Sequence, residues 1–190
     1  MERNSTAAEK VLARIPSGTW KIDPMHTSVT FSVRHLMSKV RGRFSEVDGQ
    51  IVVGRALASC SVEASIATAS VDTGTRMRDD DLRSPNFFDS ARFPAMKFAS
   101  TQIAAGGDET RFTLAGELTI RDVTRPVTLE CEFLGLDETG LQGEPRVGLS
   151  GRTSVRRSDF KVGASSIEGS KVVVGDTVLV ELDIEAFLAQ

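Results

Sequence analysis

The residues from which this chain could build catalysis or a metal centre are few: His26 and His35, Cys60 and Cys131, and the acidic run Asp79-Asp80-Asp81. The two histidines stand nine residues apart, and neither H-E-x-x-H nor C-x-x-C occurs. A His-based metal site would therefore draw its other ligands from distant segments. The aspartate run lacks the Gly and the later Glu of a calcium loop. Acidic residues loading a helix N-terminus are the simpler reading. The G-x-S-x-G elbow, the G-x-x-x-x-G-K-[ST] loop and the G-x-G-x-x-G fingerprint are absent. No metal and no cofactor is expected.

The elements that must position these residues are strands. From Arg111 to Phe133 the residue types alternate. Phe112, Leu114, Gly116, Leu118 and Ile120 share one parity, and Arg111, Thr113, Glu117 and Thr119 the other. After a turn signal at Asp122–Pro126 the alternation resumes with Val127, Leu129, Cys131 and Phe133. Period two means a pleated strand with one dry face and one wet face. The same rhythm runs through Trp20 and Ile22, through Val29, Phe31 and Val33, through Cys60, Val62, Ala64 and Ile66, through Met96 and Phe98, through Val147 to Val155, and through Val178 to Ala186. Between Val40 and Val53 the parity slips, with the bend expected near Asp48-Gly49. Residues 75–93 break the rhythm and predict one or two short helices, and residues 158–175 read as a long connection. About eight principal strands, dry on one side only, must curl around that side. The fold expected is all-β: an extended antiparallel eight-stranded barrel with one or two short helices flanking it. Residues 1–17 read as a flexible or helical lead-in, where Val11, Leu12 and Ile15 make at most a short amphipathic turn, and residues 18–190 as a single barrel domain.

Composition narrows the function classes. Apolar residues make up 40% and charged residues 26%, which suits a globular chain rather than a disordered one. A net charge of −3 excludes a global basic footprint for nucleic acid. Ten Phe, one Trp and no Tyr favour a greasy interior over a site that grips polar rings. Both cysteines sit on the dry parity, where free thiols act as small hydrophobes, and this suits a reducing compartment. No integral membrane segment and no secretory signal is recognised, so the expected location is cytoplasmic.

Polar residues on the dry parity are the exceptions. His35 continues the parity of Phe31 and Val33; Arg157 and Asp159 continue that of Val147 to Val155. All three fall at strand ends, where a barrel has its mouth. They fit an internal ion pair tying the mouth to a loop, for example to Asp79, or a set of donors for the polar head of an amphipathic guest.

Six stretches carry a resemblance to a known family: GTWKIDPMHTSVTFSVRHLM (18–37), VRGRFSEVDGQI (40–51), SVDTGTRMRDDDLRSPNFFD (70–89), FPAMKF (93–98), GELTIRDVTRPVTL (116–129) and RRSDFKVG (156–163). In this order they resemble the YceI family of lipocalin-like polyisoprenoid-binding proteins, over roughly residues 18–188. The resemblance implies a long hydrophobic cavity for a prenyl chain, and it matches His26, His35, Arg78, Asp79, Arg157, Asp159 and Phe160 to recurrent family positions. Asp81 stands where the family usually has a histidine, and Lys161 where it tends to have glycine.

The function expected is therefore binding, sequestration or transport of an isoprenoid lipid or prenyl quinone. The lining expected is Phe31, Val33, Phe44, Val62, Ile66, Phe98, Phe112, Leu114, Leu118, Ile120, Leu129, Phe133, Leu149, Val180, Leu182 and Ile184, with His35, Arg157 and Asp159 at the mouth. The alternative is an enzyme acting on a hydrophobic substrate through His35, Arg157 and Asp159. A third reading rests on the surface charges Arg34, Lys39, Arg41 and Arg43, which suit a partner or an anionic membrane as well as a solvated strand face. A flat barrel wall leaves room for a homodimer.

Overall fold

The alternation from Arg111 to Phe133 is realised as two long antiparallel strands, Arg111–Ile120 and Val123–Asp137, joined by the tight turn Arg121-Asp122 with Arg121 at φ 58°. The turn thus comes earlier than Asp122–Pro126 suggested. Pro126 is accommodated inside the second strand because it lies beyond the end of that strand's pairing with its other neighbour, which starts at Glu130↔Arg152. A missing N–H is tolerated where no ladder bond is made.

The computed structural model describes residues 6–189 apart from 107, 141, 142, 164–166, 169, 170 and 173. Its strands are β1 (Gly18–Ile22), β2 (Ser28–His35), β3 (Ser38–Phe44), β4 (Val47–Val53), β5 (Ser61–Ala67), β6 (Val71–Asp72), β7 (Ala95–Ala105), β8 (Arg111–Ile120), β9 (Val123–Asp137), β10 (Arg146–Arg156), the short pair β11 (Ile167–Glu168) and β12 (Lys171–Val172), and β13 (Val174–Leu188). Two helices accompany them, α1 (Ala7–Leu12) and α2 (Arg76–Arg83). Part of the expected 158–175 connection lies outside the described residues.

Three pairs of strands each act as one barrel strand with a bend: β1 with β2, β3 with β4, and β5 with β6. Together with β7, β8, β9, β10 and β13 they form a closed eight-stranded antiparallel barrel, each strand paired with the next in sequence. Closure is made by β13, which pairs with β10 along one edge and with β1 and β2 along the other. The expected slip near Asp48-Gly49 falls earlier, at Ser45-Glu46, because Phe44 and Val47 both turn inward there. Ser70 holds that bend: its carbonyl accepts from Ser45 N and its Oγ from Glu46 N. A second bend, between β1 and β2, is tied to β13 by Asp23 N donating to Glu185 O.

The interior is filled unevenly. At the α2 end Phe44 packs against Phe31 and Phe88, with ring centroids 5.6 Å apart in both pairs. Met96, Ile120, Val123 and Phe160 complete a solid apolar cluster there. Phe31 can lie across the strand because residue 42 is glycine; a Cβ there would come within 2.5 Å of the ring. At the other end Trp20, Val53, Phe133, Val147 and Ala186 form a second cluster, and α1 packs on it through Val11.

Candidate functional site

Between these two plugs the barrel is hollow. The cavity has a volume of about 210 Å³. Its walls are the inward faces of the strands: Val62, Ala64 and Ile66 from β5; Phe98 and Ile103 from β7; Phe112, Leu114 and Leu118 from β8; Val127, Leu129 and Cys131 from β9; Leu149, Gly151 and Val155 from β10; Val180, Leu182 and Ile184 from β13. Ile22, Val29, Val47, Ile51 and Val53 close the remaining side. Ser150 and Thr153 are the hydroxyl residues in the wall, and Thr153 Oγ1 is already donating to Thr128 O at 2.8 Å. A guest's apolar surface would leave water without meeting an unpaired polar group, the condition under which burial is favourable. A dry engineered cavity of about 150 Å³ takes one benzene, so this one exceeds the size of a single five-carbon isoprene unit.

Of the residues expected to line the lumen, Val62, Ile66, Phe98, Phe112, Leu114, Leu118, Leu129, Leu149, Val180, Leu182 and Ile184 do so. Five others do not. Phe31, Phe44 and Ile120 belong to the solid cluster at the α2 end, Phe133 to the one beneath α1, and Val33 lies on β2 past Phe31, toward the hairpin end. Parity places a side chain inside; it does not say at which depth the inside is full.

The wall also contains residues that sequence reasoning assigned elsewhere. Ala8, Val11, Leu12 and Ile15, from α1 and the turn after it, close the cavity end away from α2. Their spacing of i, i+3, i+4, i+7 is the signal of an amphipathic helix. The helix begins with a capping box: Glu9 N donates to Thr6 Oγ1, and Thr6 N donates to Glu9 Oε2 at 2.8 Å. So short a helix is marginal alone; here the barrel rim holds it. Lys10 pairs with Glu109, the Arg14 guanidinium lies 4.4 Å from the Phe133 ring centroid, and Trp20 Nε1 donates to Pro16 O at 3.0 Å. From Thr6 on, the lead-in thus takes the helical of its two expected forms and packs as a stopper. Leu57 and Cys60 line the same end. Both cysteines are free thiols, and burial pushes the Cys131 thiol up to about 12.

The three polar residues expected at the mouth are not brought together on the cavity. Arg157 lies in the short turn after β10, where the strand parity no longer applies. Its guanidinium is consumed by backbone carbonyls: Nε donates to Gly175 O at 2.8 Å, Nη2 to Val174 O at 3.0 Å, and Nη1 to Val162 O and Gly163 O. It stitches two connections together and makes no pair with Asp79. Asp79 is buried and accepts from Thr73 N and Thr73 Oγ1, in the first turn of α2. Asp159 is exposed on the outside, in a groove shared with Arg125, Glu130 and Arg156. His35 ends β2 opposite Ser38 and Val174 and does not line the cavity.

His26 enters a different cluster. Its Nδ1 lies 2.9 Å from Asp23 Oδ2 and 3.8 Å from Glu185 Oε2. Arg146 Nη1 sits 2.6 Å and 3.0 Å from those same oxygens and so fills the place a cation would take between them. Burial alone would raise the Asp23 carboxyl, but the Arg146 guanidinium and the His26 ring outweigh it and hold it down to about 2. The cluster locks the β1–β2 bend to β10 and β13.

Comparison with known proteins agrees with the barrel. The YceI-like domain model matches residues 20–186. A UPF0312 protein of Shewanella denitrificans is 40% identical over 139 residues, 72% of each chain. The crystal structure of a Campylobacter jejuni YCEI protein superposes with a TM-score of 0.71 at 28% identity, covering 83% of this chain and 90% of that one. A polyisoprenoid-binding domain from Saccharophagus degradans shares the fold, with a TM-score of 0.68 at 15% identity over 90% of this chain and 98% of that one. A closed barrel of eight strands, hollow along an apolar axis and matched over nearly all its length, places this chain in the YceI-like family.

Proposed function

We propose that the barrel binds and carries an isoprenoid-type chain, a polyprenyl lipid or prenyl-quinone tail, inside this cavity. The observation that carries the reading is the wall itself: every strand of the barrel contributes carbon to a hollow that offers no free charge. The Saccharophagus degradans domain, described as polyisoprenoid-binding, supports it through the fold alone. The contact residues assigned are those of the expected set that line the hollow, together with Ile103, Val127, Ile51 and the α1 residues Val11 and Leu12. At 210 Å³ the cavity holds a short prenyl segment. A longer chain needs the α1 stopper to swing aside, and its head group then stays outside, where no dedicated pocket is required. One chain suffices for binding because one barrel completes the cavity.

Gly151 gives a direct test. A Cβ there would meet Leu182, Cys131 and Leu129 at ordinary contact distances of 3.5–3.6 Å, so the position tolerates a side chain that grows into the hollow. Gly151→Leu should fold and lose at least tenfold in uptake of a detergent-solubilised prenyl quinone. Unchanged uptake would contradict the reading. The enzymatic alternative would need His35, Arg157 and Asp159 on the cavity, and none of them lines it.

A further inference from the structure

The β2–β3 hairpin ends in a feature that neither the barrel nor its cavity explains. His35 pairs with Ser38, leaving Leu36 and Met37 as a two-residue turn. Leu36 has φ 50°, in the left-handed region that turns normally fill with Gly, Asn or Asp. Leucine is a poor choice there for the backbone. It is also a poor choice for the solvent: Leu36 is 53% exposed and Met37 fully exposed. The conformation is braced by Arg34 Nε donating to Leu36 O and Ser38 Oγ donating to His35 O, both at 3.2 Å.

The charges beside the tip break a second rule. Arg34 and Lys39 stand directly opposite each other across the ladder, and Arg41 follows on the same outward face. Like charges in that position repel. All three side chains are exposed, and none has an ion-pair partner among the described residues. Arg43, further from the tip, is paired with Asp72. Two bare apolar side chains at the apex and, just behind it, three cations without an ion-pair partner among the described residues match the layering of an anionic bilayer, whose acyl region lies under its phosphates.

We propose that this hairpin is a membrane-docking tip that inserts Leu36 and Met37 into an anionic lipid surface while Arg34, Lys39 and Arg41 meet lipid phosphates. It lies at the α2 end of the barrel, opposite the α1 stopper. Docking at this tip is independent of what the cavity holds.

The test is co-sedimentation of the full chain with vesicles of phosphatidylcholine alone and with 30% phosphatidylglycerol by design, on the order of physiological to 0.5 M salt. Binding is expected only with phosphatidylglycerol, weakening at high salt. The double variant Leu36→Asn/Met37→Asn should lose at least tenfold in vesicle affinity while its Tm stays equal or rises, because Asn suits the left-handed turn. The variant Arg34→Gln/Lys39→Gln/Arg41→Gln should lose roughly fivefold per cation. Solubilised-quinone uptake should be unchanged in both, which separates this outcome from that of the cavity reading. Absence of vesicle binding by the parent chain, equal binding to neutral vesicles, or full binding by the Asn variant would overturn the proposal. So would a concentration-dependent dimer that the Asn variant abolishes while vesicle binding persists, since the tip would then serve a second copy of this chain.

Discussion

Asp23 and Arg146 show how single residues hold the frame around the cavity. The Asp23 carboxyl ordinarily sits at 3.8 and is held at about 2 in the fold. Because the folded state binds this proton less readily than the unfolded chain, the contribution is fully present above pH ~4 and is lost as pH falls toward ~2. It is worth on the order of 2 kcal/mol. Acid unfolding followed by circular dichroism should show Asp23→Asn losing this part of the pH dependence. Arg146→Met leaves Asp23 buried beside an apolar side chain, with His26 and the Met25 N–H as its remaining partners. It should cost about 3 kcal/mol, a fall in Tm of roughly 6–12 °C for a chain of this size. The Cys131 thiol, pushed up to about 12 by burial, should resist alkylation at pH 8 in the folded protein and react on unfolding. The buried thiol of Cys131 was legible in the alternation, but the roles of Asp23 and Arg146 were not legible in the residue types. Asp23 and His26, Arg146, and Glu185 come from three separate stretches, and the bend in β1–β2 brings them together.

Among the elements, strands were readable and their ends were not. Alternation located β8, β9, β10 and β13 because each keeps one face dry for many residues. It failed for Arg157 and Asp159 because the chain leaves the sheet at Arg156 and turns, so that an extrapolated parity no longer describes where a side chain goes. It placed Phe31, Phe44 and Ile120 inside correctly but could not distinguish a packed end from a hollow middle, which depends on which aromatic rings meet across the barrel. The stopper α1 was half visible: Val11, Leu12 and Ile15 form an apolar stripe, but a stripe on so few residues acquires meaning only when a rim receives it. Removing residues 1–16 should lower Tm by roughly 5–10 °C through lost apolar burial. It should also speed uptake of prenyl quinone at least tenfold. Trp20, fully buried beneath Val11 and bonded to Pro16, is the single tryptophan and reports the change by a red shift of its fluorescence. An unchanged uptake rate would show that guests enter elsewhere.

For the whole molecule, the account rests on a closed tube that is solid at both ends and empty in between. The uninterrupted barrel strands, 10 residues in β8 and 15 in β9 and β13, run about 34–50 Å, but the aromatic cluster at the α2 end shortens the usable length. Burial at about 0.8 kcal/mol per methylene gives a twenty-carbon tail on the order of 15 kcal/mol gross, before the cost of threading it. Only the part of that tail inside the hollow collects its share. Affinity should therefore rise with chain length for the first few isoprene units and then level off, a plateau that titration with a graded series of prenyl alcohols would reveal. The most direct measurement is native mass spectrometry of the protein purified without detergent, followed by organic extraction of what it carries. The account predicts an added mass that extraction releases as a prenyl lipid or prenyl quinone, or stoichiometric uptake of an added one. A protein that is empty on isolation and stays empty with prenyl quinone in excess would contradict it.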